Sequence, residues 1–433
     1  MTLILPLLLL LISSSTYILA TKELQHKPNV THFEAFWNVP SFACDELGFD
    51  MDPRDYGIHA NEHQKNYGTE VVTFYEQFLG IYPHISQKYN KTTGETQNIL
   101  YNGGIPQNVN LADHLAKAAK DIQKAIPDPK FNGLAVIDYE GWRPLWQLNW
   151  YTRIVYRTES ERHARQLFPD ASDKSITSIA KRLFNTAAKK YMVETIRLLR
   201  RMRPLARVGF FDYPICNYDA GEKGETECVI KFDTFNQNLE WMYRESNALF
   251  PPIYLYKLDR DFEKRQRYIY AKVVMTKRVL LKMGLDLPIY VYTKFEYNTY
   301  PGSTENRSNL YTEQDLCNTM RYAAELGAQG AVFWSTSNNM ADRCSLISEY
   351  INDTLKPFVL DSIARLDECS QKVCNGNGEC TLLDAAKPID CKAPLQKSRY
   401  TCECHKGYMG SNCQYYVELI PTYSTPMITS TKY

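Results

Sequence analysis

The chain has 433 residues, of which 44% are hydrophobic and 23% charged, and its formal net charge is +1. This composition is typical of a globular protein and excludes a disordered or fibrous chain. A net charge so close to zero gives no global attraction for an acidic partner, so a polyanion must be held by local groups in a cleft, and no nucleic-acid partner is expected.

The first twenty residues have the pattern of a cleaved secretory signal. An apolar run at residues 3–11 is followed by small residues up to Ala20 and by a polar segment from Thr21. The apolar run is short for a membrane span, and the C-terminal residues carry no lipid-anchor signal. We therefore predict a signal peptide at residues 1–20, a secreted protein with a lysosomal location left open, and no membrane anchor.

Two further features agree with secretion. Twelve cysteines indicate an oxidising compartment. Four Asn-x-Ser/Thr tripeptides are candidate glycosylation sites, at Asn29, Asn90, Asn306 and Asn352.

From residue 21 to residue 364, short apolar segments alternate with helical ones, which predicts a parallel α/β architecture. The candidate strands are residues 33–37, 71–74, 134–137, 207–211, 253–255, 289–292 and 331–334. The candidate helices are residues 111–126, 176–203, 262–283 and 313–326. Units of this kind favour a (β/α) barrel with its active site at the carboxyl ends of the strands. A doubly wound open sheet is the alternative, disfavoured because no glycine-rich phosphate loop follows a strand.

One helical segment is strongly basic. Residues 189–207 are rich in Lys and Arg, but apolar residues from Ile176 to Leu199 recur at helical spacing. The basic residues are therefore predicted to lie on the solvated face of a helix.

Two carboxyl groups follow the apolar run at residues 134–137. Side chains two apart on a strand point the same way, so Asp138 and Glu140 share one face at the end of the strand. Two neighbouring carboxyls oppose each other's ionisation, which can keep one protonated as a general acid near neutral pH. The structural alternative is a polar strand end capped by Arg143.

The last part of the chain is rich in cysteine. The spacing Cys-x4-Cys-x5-Cys from Cys369 and the sequence CHKGYMGSNC at 404–413 resemble an epidermal-growth-factor-like (EGF-like) module at residues 365–415, followed by a flexible tail at 416–433. Zinc binding, the competing interpretation, fails on spacing and compartment. No metal or cofactor is expected. The usual pairing of such modules implies three bonds, Cys369–Cys380, Cys374–Cys402 and Cys404–Cys413. Cys391 is an additional cysteine, and a bond to Cys317 is a further hypothesis.

Several motifs resemble the animal hyaluronidases, glycoside hydrolase family 56. They are NVP at 38–40, GGIPQ at 103–107, IDYEGWRP at 137–144, PICNY at 214–218 and PIY at 252–254. The resemblance implies a distorted (β/α) TIM-like barrel, in many members followed by an EGF-like domain. It also implies two core disulfides, Cys44–Cys344 and Cys216–Cys228.

The activity implied by the resemblance is endo-hydrolysis, with retention, of the β-1,4 bond between N-acetylglucosamine and glucuronic acid in hyaluronan, with chondroitin as a second candidate substrate. Two carboxylates on one strand face cannot easily flank the bond as in retaining enzymes with two catalytic carboxyls. A substrate acetamido group that attacks its own anomeric carbon removes this difficulty. Glu140 is then the general acid and later the base, and Asp138 orients the acetamido group.

The resemblance further implies that Tyr75, Arg143, Tyr254 and Trp334 contact the substrate. For the aromatic residues the alternative is simple packing, and Arg143 could instead form a structural ion pair with Asp138. Phe211 departs from the family, which commonly has a tyrosine there. This departure favours an alternative function, a hyaluronan-binding protein with weakened catalysis. A third hypothesis gives the EGF-like module the main role, in adhesion. A monomer is expected.

Overall fold

The computed structural model describes residues 33–256, 261–298, 309–387 and 389–417. The predicted signal peptide, Asn29, Asn306 and residues 418–433 lie outside these ranges.

The strands of the larger part of the chain follow its apolar runs. Their bounds are β1 Glu34–Asn38, β2 Ile58–Ala60, β3 Val71–Tyr75, β4 His84–Tyr89, β5 Thr96–Tyr101, β6 Leu134–Asp138, β7 Arg207–Phe210, β8 Tyr290–Thr293 and β9 Gly330–Trp334. Each parallel strand is almost entirely buried, which explains why it reads as a continuous apolar run rather than as an alternating one.

These strands form two parallel sheets and one hairpin. One sheet has the order β2-β1-β9-β8, the other has the order β3-β6-β7, and β4 pairs with β5 in an antiparallel hairpin. Residues 249–252 connect the two sheets through isolated parallel bridges, from Phe250 to Phe211, from Leu249 to Ile289 just before β8, and from Pro252 to Tyr292 of β8. The strands therefore run in one continuous series from β2 to β3.

A side chain spans the remaining gap between β2 and β3. The Oδ1 atom of Asn61, the residue after β2, accepts hydrogen bonds from the backbone N–H groups of Glu70 (3.0 Å) and Val71 (3.1 Å). Its Nδ2 donates to the carbonyl oxygens of Val71 (2.7 Å) and Lys65 (2.9 Å). Asn61 thus satisfies backbone groups that a neighbouring strand would otherwise pair.

An apolar core lies between the two sheets. Its members come from strands of both sheets and from the connecting segment, and they include Phe36, Val71, Val136, Phe250, Tyr292 and Val332. A larger core separates the strands from the surrounding helices. The alternate residues of each strand therefore face two different apolar layers.

The helices are α1 Phe42–Glu46, α2 Leu111–Ala125, α3 Ile154–Leu167, α4 Asp173–Met202, α5 Lys231–Asn238, α6 Glu240–Glu245, α7 Phe262–Met283, α8 Glu313–Leu316, α9 Ala323–Glu325, α10 Met340–Tyr350 and α11 Lys356–Val373. Polar side chains accept backbone hydrogen bonds at the starts of α2 (Asn110), α4 (Ser172) and α7 (Asp261). Gly284, at φ 61°, ends α7.

The structure differs from the predicted elements in three places. Residues 253–255 form no strand, because the chain meets β8 only at the single bridge from Pro252. The predicted helix 313–326 is interrupted by a π-helical segment, Cys317–Tyr322, between α8 and α9. The β4–β5 hairpin was not predicted, since most of its residues are exposed and carry no apolar alternation.

The C-terminal part consists of two small antiparallel pairs, β10 Gly378–Leu382 with β11 Tyr400–Cys404, and β12 Tyr408–Met409 with β13 Tyr415–Tyr416. The helix α11 crosses the predicted domain boundary at residue 365 and carries Cys369 into this part. The disulfides here are Cys369–Cys380, Cys374–Cys402 and Cys404–Cys413. These are the pairs that the resemblance to an EGF-like module implies.

The C-terminal part is attached to the larger part on the side where the parallel strands begin. The disulfide Cys317–Cys391 joins the two parts covalently. Lys277 of α7 pairs with Glu403, and the Tyr400 hydroxyl donates to Glu325 at 3.1 Å. A cavity of about 280 Å³ at this junction is lined by Glu34, which begins β1, and by His405. The remaining disulfides, Cys44–Cys344 and Cys216–Cys228, lie in the larger part.

Within the described ranges, none of the helices combines the length and the apolar character needed to cross a bilayer. The same residues contain no group of three or more His, Cys, Asp or Glu side chains placed to hold a metal ion.

The Asn61 bridge predicts a stability effect. Replacing Asn61 by Ala leaves buried backbone groups of Val71 without partners and is expected to lower the free energy of unfolding by about 1–3 kcal/mol. Urea unfolding of Asn61→Ala would measure this, with Asn132→Ala, at an exposed position, as the matched control. Equal midpoints for both variants would contradict a structural role for this side chain.

Candidate active site

Three of the predicted site residues are the last residues of parallel strands, two in one sheet and one in the other. Tyr75 ends β3, Asp138 ends β6, and Trp334 ends β9. The register of β3 and β6 places Tyr75 directly beside Asp138. Glu140 follows two residues after Asp138, so both carboxyls belong to the carboxyl edge of the sheets, where active sites of such folds form.

Asp138 is held without a counter-ion. Its Oδ1 is buried and has no hydrogen-bond partner among the described residues. Burial raises the pKa of Asp138 well above its usual value, and the negative charges of Glu140 and Glu76 raise it further. Asp138 is therefore a carboxyl group that holds a proton in the folded state at a pH where a free aspartate would have lost it.

Hydrogen bonds hold the backbone of Glu140, whereas its side chain is exposed. Its N–H donates to Glu76 Oε1 at 2.9 Å, and its carbonyl oxygen accepts from Arg153 Nε at 3.0 Å. The side chain is 46% exposed. Burial raises the pKa of Glu140, the nearby Arg143 opposes this effect, and the charge of Asp212 adds to it. A carboxyl that reaches a cleft and keeps its proton to a higher pH than a free glutamate can act as a general acid.

The main partner of Arg143 is Asp212, not Asp138. Its Nη2 forms a buried ion pair with Asp212, and the same nitrogen lies 3.4 Å from Glu140 Oε1. The structural alternative of an Arg143–Asp138 bridge does not occur. Asp212 has the closer contact with Arg143, and the guanidinium also lowers the pKa of Glu140 against the larger effect of burial.

Aromatic side chains enclose the carboxyl pair. The rings of Tyr254 and Trp334 stack with centroids 6.0 Å apart, and Trp334 Nε1 donates to the Tyr75 hydroxyl at 2.9 Å. Burial raises the pKa of Tyr75 to about 12 and that of Tyr254 well above its usual value. Both phenols are therefore neutral near pH 7 and able to donate a hydrogen bond to a ligand.

Phe211, the residue that departs from the family pattern, lies within this aromatic group. Its ring is 6.2 Å from that of Tyr254 and 5.0 Å from that of Tyr292. Phe211 therefore packs at the end of β7 without offering a hydroxyl to the site.

One cavity borders Glu140, and two more are lined by other residues of the predicted site or their partners. One, of about 810 Å³, is bordered by Glu140 and the β4–β5 hairpin, where His84 contributes to its wall. A second, of about 490 Å³, is lined by Arg143, Asp212 and the exposed Trp150. A third, of about 310 Å³, is lined by Tyr254.

Sequence reasoning missed several charged residues of the site. Glu76 follows β3 directly, Asp212 lies two residues after β7, and Lys294 follows β8. The signal that could have found them is their position, since each is a charged residue at the carboxyl end of a parallel strand.

Lys294 lies under the aromatic pair. Its Nζ is 4.5 Å from the Tyr254 ring centroid and 5.4 Å from that of Trp334. Burial lowers the pKa of Lys294 to about 8, and the negative charge of Glu296 opposes that effect. The ammonium therefore holds the two rings by cation–π contacts when it is protonated.

The loop after Trp334 is held by a buried ion pair. Arg343 Nη1 lies 2.7 Å from Glu296 Oε1, and the same carboxylate oxygen accepts from Ser335 Oγ at 2.7 Å. Arg343 Nη2 also donates to the carbonyl oxygens of Thr336 and Asn338. The adjacent Cys344 is bonded to Cys44, so this loop is fixed from both sides.

Two predicted glycosylation positions lie within the described ranges, and both are exposed. Asn90 is in the turn of the β4–β5 hairpin, where its side chain accepts from Thr92 N at 2.9 Å. Asn352 lies in the π-helical segment Ile351–Leu355.

Comparisons with known proteins bear directly on this arrangement. A glycoside hydrolase family profile described as hyaluronidase matches residues 24–389. A chondroitin hydrolase of Caenorhabditis elegans is 37% identical over 392 residues, which are 90% of this chain and 81% of that protein. A hyaluronidase of Echis ocellatus is 31% identical over 424 residues, covering 89% of this chain and 90% of the relative.

A solved structure supports the same family assignment. The crystal structure of bee venom hyaluronidase in complex with a hyaluronic acid tetramer superimposes with a TM-score of 0.67 and 28% sequence identity, over 76% of this chain and 98% of that one. The family profile spans most of the chain, and the carboxyl pair lies within it at the strand ends. This chain belongs to the hyaluronidase family of glycoside hydrolases, and it is an enzyme of that family.

Proposed function

We propose that this protein cleaves the β-1,4 bond between N-acetylglucosamine and glucuronic acid in hyaluronan, with retention and with the substrate acetamido group as nucleophile. The observation that carries the proposal is the pair of carboxyls at the end of β6, of which Asp138 is buried without a counter-ion and Glu140 reaches the cleft. Both have raised pKa values through burial.

In the first step, Glu140 donates its proton to the glycosidic oxygen while the acetamido carbonyl oxygen attacks the anomeric carbon. The leaving sugar departs as an alcohol, and the cyclic intermediate remains on the cleaved end. Glu140, now a carboxylate, accepts a proton from water as the water opens the ring on the opposite face. Two attacks at the same carbon, each with inversion, give net retention.

Asp138 positions the nucleophile in this mechanism. A carboxyl beside the acetamido N–H accepts its hydrogen bond and stabilises the positive charge that develops on the nitrogen. The two carboxyls oppose each other's ionisation, so the pair holds a proton in the ground state. Tyr254, Tyr75 and Trp334 bound the acetamido pocket, and Arg143 fixes the orientation of Glu140 through the contact at 3.4 Å.

Both polymers are candidate substrates. A hyaluronic acid tetramer is bound in the related bee venom structure, and the C. elegans relative is named a chondroitin hydrolase. The two polymers share an N-acetylated amino sugar beside a glucuronate, which is the chemistry that this mechanism requires.

The remaining architecture is part of the same proposal. The side-chain bridge of Asn61 between β2 and β3 supports a closed, distorted barrel over residues 21–364, and the pairing of the last cysteines supports an EGF-like module at 365–415. The apolar N-terminal run and the disulfides support secretion of a monomeric glycoprotein.

A second candidate function is hyaluronan binding with weakened turnover. Phe211 favours it, because this ring offers no hydroxyl where many relatives have one. The intact pair of Asp138 and Glu140 favours the enzyme.

Glu140→Gln tests the acid assignment. The amide cannot donate a proton of suitable acidity, so turnover of hyaluronan and of chondroitin is expected to fall by about 10²–10⁴-fold, with polymer binding retained. Product sizing across pH would measure this, and the wild-type rate should decline as pH rises through the raised pKa of Glu140. The exposed Glu46→Gln is the matched control, and substantial activity of Glu140→Gln would refute the assignment.

Asp138→Asn is expected to lower activity and raise stability. The buried carboxylate has a folded pKa above its unfolded value near 4, so its ionisation opposes folding at higher pH. Removing the charge should raise the free energy of unfolding by about 1–3 kcal/mol at pH 7. The gain should shrink as pH falls through the raised pKa and vanish below about pH 4. Thermal unfolding across pH, compared with the exposed Asp170→Asn, measures it. A variant less stable than wild type at pH 7 would contradict the reasoning.

Phe211→Tyr distinguishes the two candidate functions. A hydroxyl at this ring adds one hydrogen bond to the reacting sugar, and kcat/KM is expected to rise about two- to tenfold. Steady-state rates on hyaluronan would show the change, with Phe168→Tyr, 44% exposed, as the control. An unchanged rate would show that the missing hydroxyl does not limit this enzyme.

A further inference from the structure

A basic groove lies on the outer wall of the barrel, between α4 and α6. Its volume is about 1030 Å³, and its lining includes Lys181, Lys189 and Lys190 of α4 with Trp241 of α6. These lysines lie in or beside the basic segment that sequence analysis assigned to a solvated helix face. The helix face is solvated, but α6 makes it one side of a groove.

The charges of the groove are unbalanced. Two carboxylates line it with five cationic side chains, of which Arg244 pairs with Glu240 outside the lining, so the three lysines form the positive excess. Both carboxylates serve Arg197, which lies 3.2 Å from Glu194 and 2.5 Å from Glu245. Among the described residues, no carboxylate forms an ion pair with Lys181 or Lys190. These ammonium groups are therefore available to an anionic ligand.

The shape and chemistry of the groove fit a charged polysaccharide. Lys189 Nζ lies 5.8 Å from the centroid of the partly buried Trp241 ring, so a cation and an indole face occur together. An indole packs against the apolar face of a sugar, while ammonium groups pair with its acidic substituents. The seventeen residues from Lys181 to Arg197 span about 24 Å of helix. A linear polymer fills this length better than a single small anion does.

The groove adjoins the catalytic loop. Pro144, Leu145 and Gln147 form part of its lining, and they follow Arg143 of the active site. Asn185 of α4 accepts a hydrogen bond from Trp146 N at 2.7 Å, so the helix that bears the lysines also holds this loop.

We propose that this groove is a second binding site for an acidic glycosaminoglycan, occupied by a distant segment of the polymer that is being cleaved. The proposal rests on the proposed function for the identity of the polymer. Two attachment points on one chain raise the apparent affinity for long polymers without changing the affinity for short ones.

The test is Lys181→Gln/Lys189→Gln/Lys190→Gln in the full chain. KM for high-molecular-weight hyaluronan is expected to rise about tenfold and to become less dependent on salt, since three screened contacts are lost. Rates on hyaluronan oligosaccharides too short to reach the groove should stay unchanged. The matched control is Lys120→Gln/Lys124→Gln/Lys130→Gln, three exposed lysines outside the groove.

A binding measurement separates this proposal from the catalytic one. The triple substitution is repeated in the Glu140→Gln background, and binding of long hyaluronan is measured without turnover. Weaker binding than Glu140→Gln alone supports the groove even if the Glu140 assignment fails. Equal binding of long hyaluronan with and without the lysine substitutions, together with an unchanged KM for the long polymer, overturns the proposed groove site. A loss of binding to duplex DNA but not to hyaluronan also overturns it, because the groove would then recognise nucleic acid.

Discussion

The site depends on keeping an unpaired carboxyl group in a place that water hardly reaches. Asp138 is buried with no partner for its Oδ1, and the nearest cation, Arg143, is engaged by Asp212. If Arg143 paired with Asp138 instead, both carboxyls would ionise easily and no proton donor would remain near neutral pH. Asp212 therefore decides the chemistry of a residue that it does not touch.

The apolar interior makes this arrangement tolerable. Phe250, Val136 and Val332 fill the space between the sheets beneath the carboxyl pair, so little water enters from below. Above this layer, Tyr292 shares hydrogen bonds with Thr73 and Asn38, which connects the ends of β1, β3 and β8. Rigid packing and hydrogen bonds of this kind hold the carboxyls of Asp138 and Glu140 close together. The unfavourable electrostatics of this pair lowers the stability of the whole fold.

The sequence predicted what short-range patterns determine. The predicted bounds of the buried strands are correct to within about a residue, because an apolar run bounded by polar residues leaves little freedom in where a strand begins and ends. The positions of Asp138 and Glu140 followed from the end of one of these strands. The partner of Arg143 could not be predicted, since Asp212 is 69 residues away and only the β6–β7 pairing brings it near. Lys294 was missed although its position directly after β8 is a local signal, whereas the partner of Arg343, Glu296, is 47 residues away in the sequence. Residues 253–255 have the sequence of a strand, but this segment has only the bridge from Pro252 to β8. Whether a segment pairs depends on the strand beside it as well as on its own sequence.

The C-terminal part is attached where the strands begin, whereas the carboxyl pair lies where they end. A matrix component or receptor that binds the C-terminal part would therefore attach the enzyme by the side opposite the carboxyl pair. The side of the molecule that carries the carboxyl pair would then stay accessible to a polysaccharide.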